Sequence, residues 1–157
     1  YALIYGAGDS KLGSIVQGSR EQGKQLRESF INNNPAFKTL RDRVERASAR
    51  GYLKGLDGRK LFIRHKHSAL NTLLQGAGAI VMKKALIILA DMLELQTIPA
   101  KIVANIHDEW QIEVPESQAN GVGALAVRCI EQASKEYNLR CPLTGEFNIG
   151  DSWYETH

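Results

Sequence analysis

Apolar positions recur at helical spacing through most of the chain, and strand-like alternation interrupts them in two places. Leu12, Ile15, Val16, Leu26 and Phe30 form one apolar side behind Ser10, a candidate N-cap. They predict a single helix from there to about Asn32. Asn32-Asn33-Asn34-Pro35 breaks it. Asn34 as N-cap and Pro35 at the first helical position start the next helix, where Phe37, Leu40 and Val44 recur and Gly51 stops. Tyr52 to Leu56 and Arg59 to Arg64 flank Asp57-Gly58, the signature of a β-hairpin. Ser68 to about Leu95 predicts a long helix with Leu70, Leu73, Leu74, Ala77, Ile80 and Val81 as its inner stripe. Gly76 and Gly78 would let another backbone approach it. Lys101 to Ile106 and Trp110 to Val114 alternate as two strands around His107-Asp108-Glu109. Pro115 and Ser117 then lead into a helix to about Asn138, and Glu146 to Ile149 predicts a last short strand. At the other end, Tyr1-Ala2-Leu3-Ile4-Tyr5 reads as the last turns of a helix stopped by Gly6 and Gly8. A chain that opens inside a helix is expected to be part of something longer.

Composition narrows the class. At 157 residues, 43% hydrophobic and 24% charged, the chain is neither a disordered tail, a collagen repeat nor a disulfide scaffold. The longest apolar run, Ala85 to Ala90, is too short to span a bilayer, and no signal peptide opens the chain, so no membrane partner is expected. Cys129 and Cys141 lack Cys-x-x-Cys spacing, and the expected setting is the reducing cytoplasm. Charge is uneven. Lys11 to Lys66 holds 14 basic and 5 acidic residues, a local net of +9, whereas His67 to His157 holds 6 basic and 11 acidic, a net of −5. That asymmetry fits a polyanion held by one part and metal or acid–base chemistry in the other. It also fits solvated helix faces of unequal sign.

Three groups of residues carry candidate chemistry. A tight hairpin pushes His107-Asp108-Glu109 out of its sheet, where carboxylates can meet an external hard cation such as Mg²⁺. An ordinary polar turn has the same composition. Asn71 and Gln75 lie four apart on one helix face, and their amides can read base or sugar edges in a minor groove. Lys54, Arg59, Lys60 and Arg64 decorate the first hairpin and can hold phosphates, or simply protect an exposed edge. His65 and His67 have no further ligand at zinc spacing, so no zinc is expected.

Taken in order, these pieces resemble family A DNA polymerases, most closely the bacteriophage replicase branch related to bacterial DNA polymerase I. Tyr1-Ala2-Leu3-Ile4-Tyr5-Gly6-Ala7-Gly8 resembles the tail of motif B in the fingers. Gly55-Leu56-Asp57-Gly58-Arg59-Lys60, followed by Ala69-Leu70-Asn71-Thr72-Leu73-Leu74-Gln75, resembles the palm segment that holds primer and template. Ile106-His107-Asp108-Glu109 resembles motif C, and Gly150 to His157 fits the family's end.

The resemblance implies an α+β fold: a partial polymerase palm with a catalytic β-hairpin, long helices and the trailing part of the fingers. Residues 1–51 would end the fingers and 52–157 would belong to the palm. It implies template-directed nucleotidyl transfer, in which the primer 3′-hydroxyl attacks the α-phosphate of a dNTP by a two-metal mechanism. Asp108 would be a catalytic metal ligand and Glu109 would assist beside it. His107 would support the primer terminus. Tyr1 would contact the incoming sugar and Tyr5 would stack at the insertion site. Asn71 and Gln75 would monitor the minor groove, while Arg59, Lys60 and Arg64 would hold the DNA backbone. Implied partners are primer-template DNA, dNTPs and an upstream segment or partner chain bearing motif A, and the implied cofactor is Mg²⁺. No segment of this sequence resembles motif A, and the Lys and Arg of motif B would precede residue 1. The chain alone is therefore expected to be inactive. The alternative is a non-catalytic nucleic-acid-binding or scaffold piece that docks with a separate polymerase half.

Overall fold

The computed structural model describes residues 2–157, and the chain divides into two compact units, residues 1–77 and 78–157. Its helices and two small sheets give the α+β class expected from the sequence.

In the first unit, residues 2–6 form a turn. Gly6 N–H donates to the Leu3 carbonyl at 3.2 Å and Ala7 N–H to the Ala2 carbonyl at 2.9 Å, with Gly6 at φ +82°. That bond pair is the Schellman pattern expected at Gly6, but the residues before it form a turn rather than the end of a helix. The single helix expected to Asn32 is instead two, α1 (Asp9–Ile15) and α2 (Arg20–Asn33). The break has a local cause. Gln17 adopts φ +53°, and Ser19 forms a capping box with Gln22, which satisfies the first amides of α2. Gly8, not Ser10, is the N-cap of α1. The pattern Ser19-x-x-Gln22 is present in the sequence, but the continuous apolar side masks it.

α3 (Pro35–Ser48) starts at Pro35 as expected. The Asn34 side chain does not cap it, donating instead to the Phe30 carbonyl at 2.8 Å. β1 (Tyr52–Lys54) pairs antiparallel with β2 (Lys60–Phe62). The connection is a four-residue turn, closed by Gly58 N–H on the Gly55 carbonyl at 3.0 Å. Gly58 sits at φ +87° before Gly55 N–H returns to the Arg59 carbonyl at 2.8 Å. This is a type I turn with a glycine bulge rather than a two-residue loop, which explains strands shorter than the sequence pattern. Val44, Leu53, Ala69 and Leu70 form the core of this unit, with Phe37, Leu61, Ile63 and Leu73 against them.

A 3₁₀ turn (Lys66–Ser68) leads into α4 (Ala69–Leu95), which runs from the first unit into the second. Only part of the expected inner stripe is buried: Leu70, Ile80 and Val81 are, whereas Leu74 is 40% exposed. Nor does a second backbone use the glycines. Gly76 lies under the Leu61 side chain, and Gly78 faces open space. By length and composition α4 could cross a membrane, a property that no single unbroken apolar run announces.

In the second unit α4 continues through Ala85 and Leu89, both fully buried. β3 (Lys101–Ile106) pairs antiparallel with β4 (Glu109–Glu113), and a register shift at Val103 marks a bulge. Past the bulge Ala104 pairs with Gln111 and Ile106 with Glu109, so Glu109 and Gln111 share one face of the ribbon. A 3₁₀ turn (Glu116–Gln118) precedes α5 (Ala119–Glu136), which buries Val122, Leu125, Cys129 and Ala133. Lys84 of α4 pairs with Glu136 of α5 at 2.9 Å. That hydrogen-bonded contact raises the lysine pKa and lowers the carboxyl's. The strand expected over Glu146–Ile149 is not formed. The Phe147 ring lies against Gly123 of α5 instead, so this segment packs through a side chain and pairs with no strand. Its successor is a short helix, α6 (Trp153–Thr156).

Candidate functional site

The second unit presents His107 and Asp108 as the two loop residues of the β3–β4 hairpin, between the paired Ile106 and Glu109. A two-residue loop needs a positive φ at its first position, and His107 supplies it at +53°. A non-glycine residue held there stores about 1–3 kcal/mol of strain, which the rest of the hairpin must sustain. Both side chains are exposed. Among the described residues the Asp108 carboxylate has no hydrogen-bond or ion-pair partner.

Glu109, the next residue, is in the opposite state. Its Oε1 accepts from Gln111 Nε2 at 2.5 Å and Trp153 Nε1 at 3.0 Å, and its Oε2 meets His157 Nδ1 at 2.7 Å. These hydrogen bonds, Gln111's first and His157's next, hold the Glu109 carboxyl below its ordinary pKa. Two adjacent carboxylates therefore differ: one is free at the tip, and one is fixed on the ribbon face. Asp108 suits a hard divalent cation, being an exposed oxygen donor with nothing else to satisfy. Among the described residues no three His, Cys, Asp or Glu side chains gather into a metal cage.

The first unit gathers the cationic and amide residues. Arg59 is fastened to Asp57, with Nε and Nη2 both 2.6 Å from Asp57 Oδ2 and its backbone N–H 3.2 Å from Oδ1. Desolvation acts to raise the Asp57 pKa. The Arg59 hydrogen bonds outweigh it and hold the carboxyl below its usual range. Lys60 Nζ lies 4.9 Å above the Tyr52 ring, and Arg50 lies 5.1 Å from the same ring. Arg64 is exposed. On α4, Gln75 is exposed, and Asn71 Oδ1 is buried without a partner among the described residues. A buried amide oxygen left without a partner is costly, and a bound water or another polar group would satisfy it. Tyr5, 46% exposed, lines a cavity of about 550 Å³ with Gly6, Gly8, Lys11, His67 and Ser68. The His65 and His67 rings stack 5.4 Å apart. Tyr1 lies outside the described residues.

Sequence reasoning missed four residues that the structure brings to Glu109 and its neighbour: Gln111, Trp153, Thr156 and His157. Gln111 was legible as the same-face neighbour of Glu109. The rest come from 44 to 48 residues away, and only the helical spacing of Trp153 and His157 hinted at a shared face.

The architecture is that of a polymerase POL domain in part. The POL domain of Pol1 from M. smegmatis, solved in complex with DNA primer-template and dNTP, superposes with a TM-score of 0.74 at 23% identity. The match covers 85% of this chain and 26% of that one. The chain belongs to DNA polymerase family A, whose model matches residues 1–155. It is 40% identical over its whole length to the DNA-directed DNA polymerase of Escherichia phage Phieco32 and 35% identical to that of Enterobacteria phage T3. DNA polymerase I of Geobacillus stearothermophilus is 26% identical over 99% of the chain. The chain spans about a quarter of the phage relatives' length, 27% and 25%, and 19% of the bacterial one.

Proposed function

We propose that these residues form the motif C and primer-template-holding part of a DNA-directed DNA polymerase, and that they do not copy DNA by themselves. The observation that carries this reading is the free Asp108 carboxylate at a strained two-residue hairpin tip, in a chain matched to the family almost end to end. Asp108 would hold Mg²⁺ together with a carboxylate from elsewhere in the polymerase. Bound there, the metal would offset the negative charge that develops as phosphoryl transfer proceeds. His107, projecting beside it, would support the primer terminus. Tyr5 and its cavity would receive a base at the insertion site, and Tyr1 would contact the incoming sugar. Asn71 and Gln75 would meet the minor groove, the orphaned Asn71 oxygen gaining its partner there. We assign residues 1–51 to the fingers and 52–157 to the palm. The exposed apolar residues of α4 would then face the remaining polymerase rather than lipid.

Primer extension tests the reading. The purified 157-residue chain should add no nucleotides to a primer-template with Mg²⁺ and dNTPs, and adding a fragment that bears motif A should restore addition. Steady extension by the chain alone would refute its incompleteness. Failure of every motif A fragment to restore activity, with DNA binding intact, would favour the non-catalytic scaffold.

The hairpin cations should supply sequence-independent grip. Replacing Arg59 and Lys60 together with Ala should flatten the dependence of log K on log salt by roughly 0.9 for each phosphate that is no longer neutralised. The weakening should be equal on unrelated duplexes, because cations that touch only phosphates read no sequence. An unchanged salt slope would place this hairpin off the DNA path.

A further inference from the structure

The end of the chain is fastened to the residue that follows the proposed metal ligand. Trp153 Nε1 donates to Glu109 Oε1 at 3.0 Å, and His157 Nδ1 lies 2.7 Å from Oε2. Thr156 Oγ1 donates to Gln111 Oε1 at 3.1 Å, while Gln111 itself bonds Glu109. The Trp153 and His157 rings meet edge to face with centroids 6.0 Å apart. Trp153 and His157 stand four residues apart and so approach the ribbon from one face. Glu109 and Gln111 stand two apart in β4 and so present one face to them. Both Glu109 oxygens are thereby engaged from a segment more than forty residues distant.

We propose that Trp153 and His157 are positioning residues that set the placement of Asp108 through Glu109, an inference that rests on the polymerase reading above. The physical reason is leverage. The His107–Asp108 loop carries strain at His107 and springs directly from Glu109, the first residue of β4. The Ile106–Glu109 pair closes the backbone beneath the two loop residues, and the Glu109 side chain decides how firmly that end is held to the rest of the unit. A carboxylate held by three donors fixes that end, and it also keeps Glu109 from rotating towards the tip and competing for the cation. Asp108 is then the one free carboxylate of the adjacent pair, in a defined place. Losing a group that orients a metal ligand typically costs about 10- to 100-fold in activity.

The test compares variants in the polymerase that carries these residues. His157→Ala and Trp153→Phe should each lower kcat for nucleotide addition about tenfold or more, with the Kd for primer-template within about twofold. His157→Asn, whose amide nitrogen can stand near the Nδ1 position, should recover most of the loss. In a Glu109→Ala background, His157→Ala should add little, because its effect travels through that carboxylate. A kcat within twofold of the parent for His157→Ala would overturn the proposal. So would full additivity with Glu109→Ala, or equal loss of melting temperature and activity in His157→Ala and His157→Asn. The clasp itself is read without catalysis. In the 157-residue chain the Trp153 indole N–H resonance, assigned by Trp153→Phe, should move on Glu109→Ala, and an unmoved resonance overturns the clasp. A moved resonance together with an active Asp108→Asn polymerase would instead sink the polymerase assignment, so the two failures are separable.

Discussion

Nucleotide addition should fall by about a thousandfold or more when Asp108 becomes Asn in the polymerase that bears this hairpin. The carboxamide has nearly the size of the carboxylate and removes only the charge that would hold the cation. A metal at a transferring phosphoryl group is worth several kcal/mol to the transition state, and about 4 kcal/mol corresponds to a thousandfold in rate. The fold should not notice the change, because Asp108 is exposed and makes no bond to the described residues. DNA affinity should also persist, since the cationic residues cluster between Lys11 and Lys66 with a local net charge of +9. Single-turnover extension and duplex binding, measured side by side, check both halves. Glu109→Gln gives the contrast. It keeps one acceptor oxygen for Gln111 or Trp153 but alters the group facing His157, so its effect should be smaller. A near-normal rate for Asp108→Asn would show that this turn is an ordinary surface turn.

The contrast between these two neighbours marks how far the sequence reaches. The pairing of β3 with β4, the start of α3 at Pro35 and the extent of α4 all follow from signals within a few residues: alternation, a proline, an unbroken helical pattern. Motif order supplies the expectation that Asp108 holds metal. What escaped was anything decided by distant partners. Glu109 looked like a second available carboxylate, because nothing near it in sequence announces Trp153 or His157. Glu146–Ile149 has strand composition, yet its apolar Phe147 finds Gly123 of α5 and the backbone never pairs. Arg59 and Lys60 read as cations that hold phosphates or protect an edge, and nothing in that pattern announces that Asp57 and the Tyr52 ring engage them.

The division between α1 and α2 leads to the second large effect. Once the chain turns back at Gln17, two helices must lie side by side, and glycine decides how close they come. A Cβ added at Gly23 of α2 would run into the Asp9 carbonyl and lie 2.5 Å from the Gly13 amide nitrogen. A Cβ at Gly13 would likewise meet the Ser19 carbonyl. These obstacles are backbone and cannot rotate away as a side chain would. Beside them Arg27 Nε pairs with Asp9 Oδ1 at 3.1 Å, an ion pair that a forced separation would stretch. Gly23→Ala should therefore destabilise the first unit by about 2 kcal/mol or more, since overpacking commonly costs about 1–3 kcal/mol. That destabilisation arises even though alanine gains about 1 kcal/mol over glycine in helix propensity. Gly78→Ala isolates the propensity effect, because Gly78 lies inside α4 with nothing within 4 Å of an added Cβ. It should raise stability by up to about 1 kcal/mol. Urea melts of the two variants against the parent should thus move in opposite directions. A Gly23→Ala midpoint at or above the parent's would mean that α1 and α2 do not pack backbone to backbone.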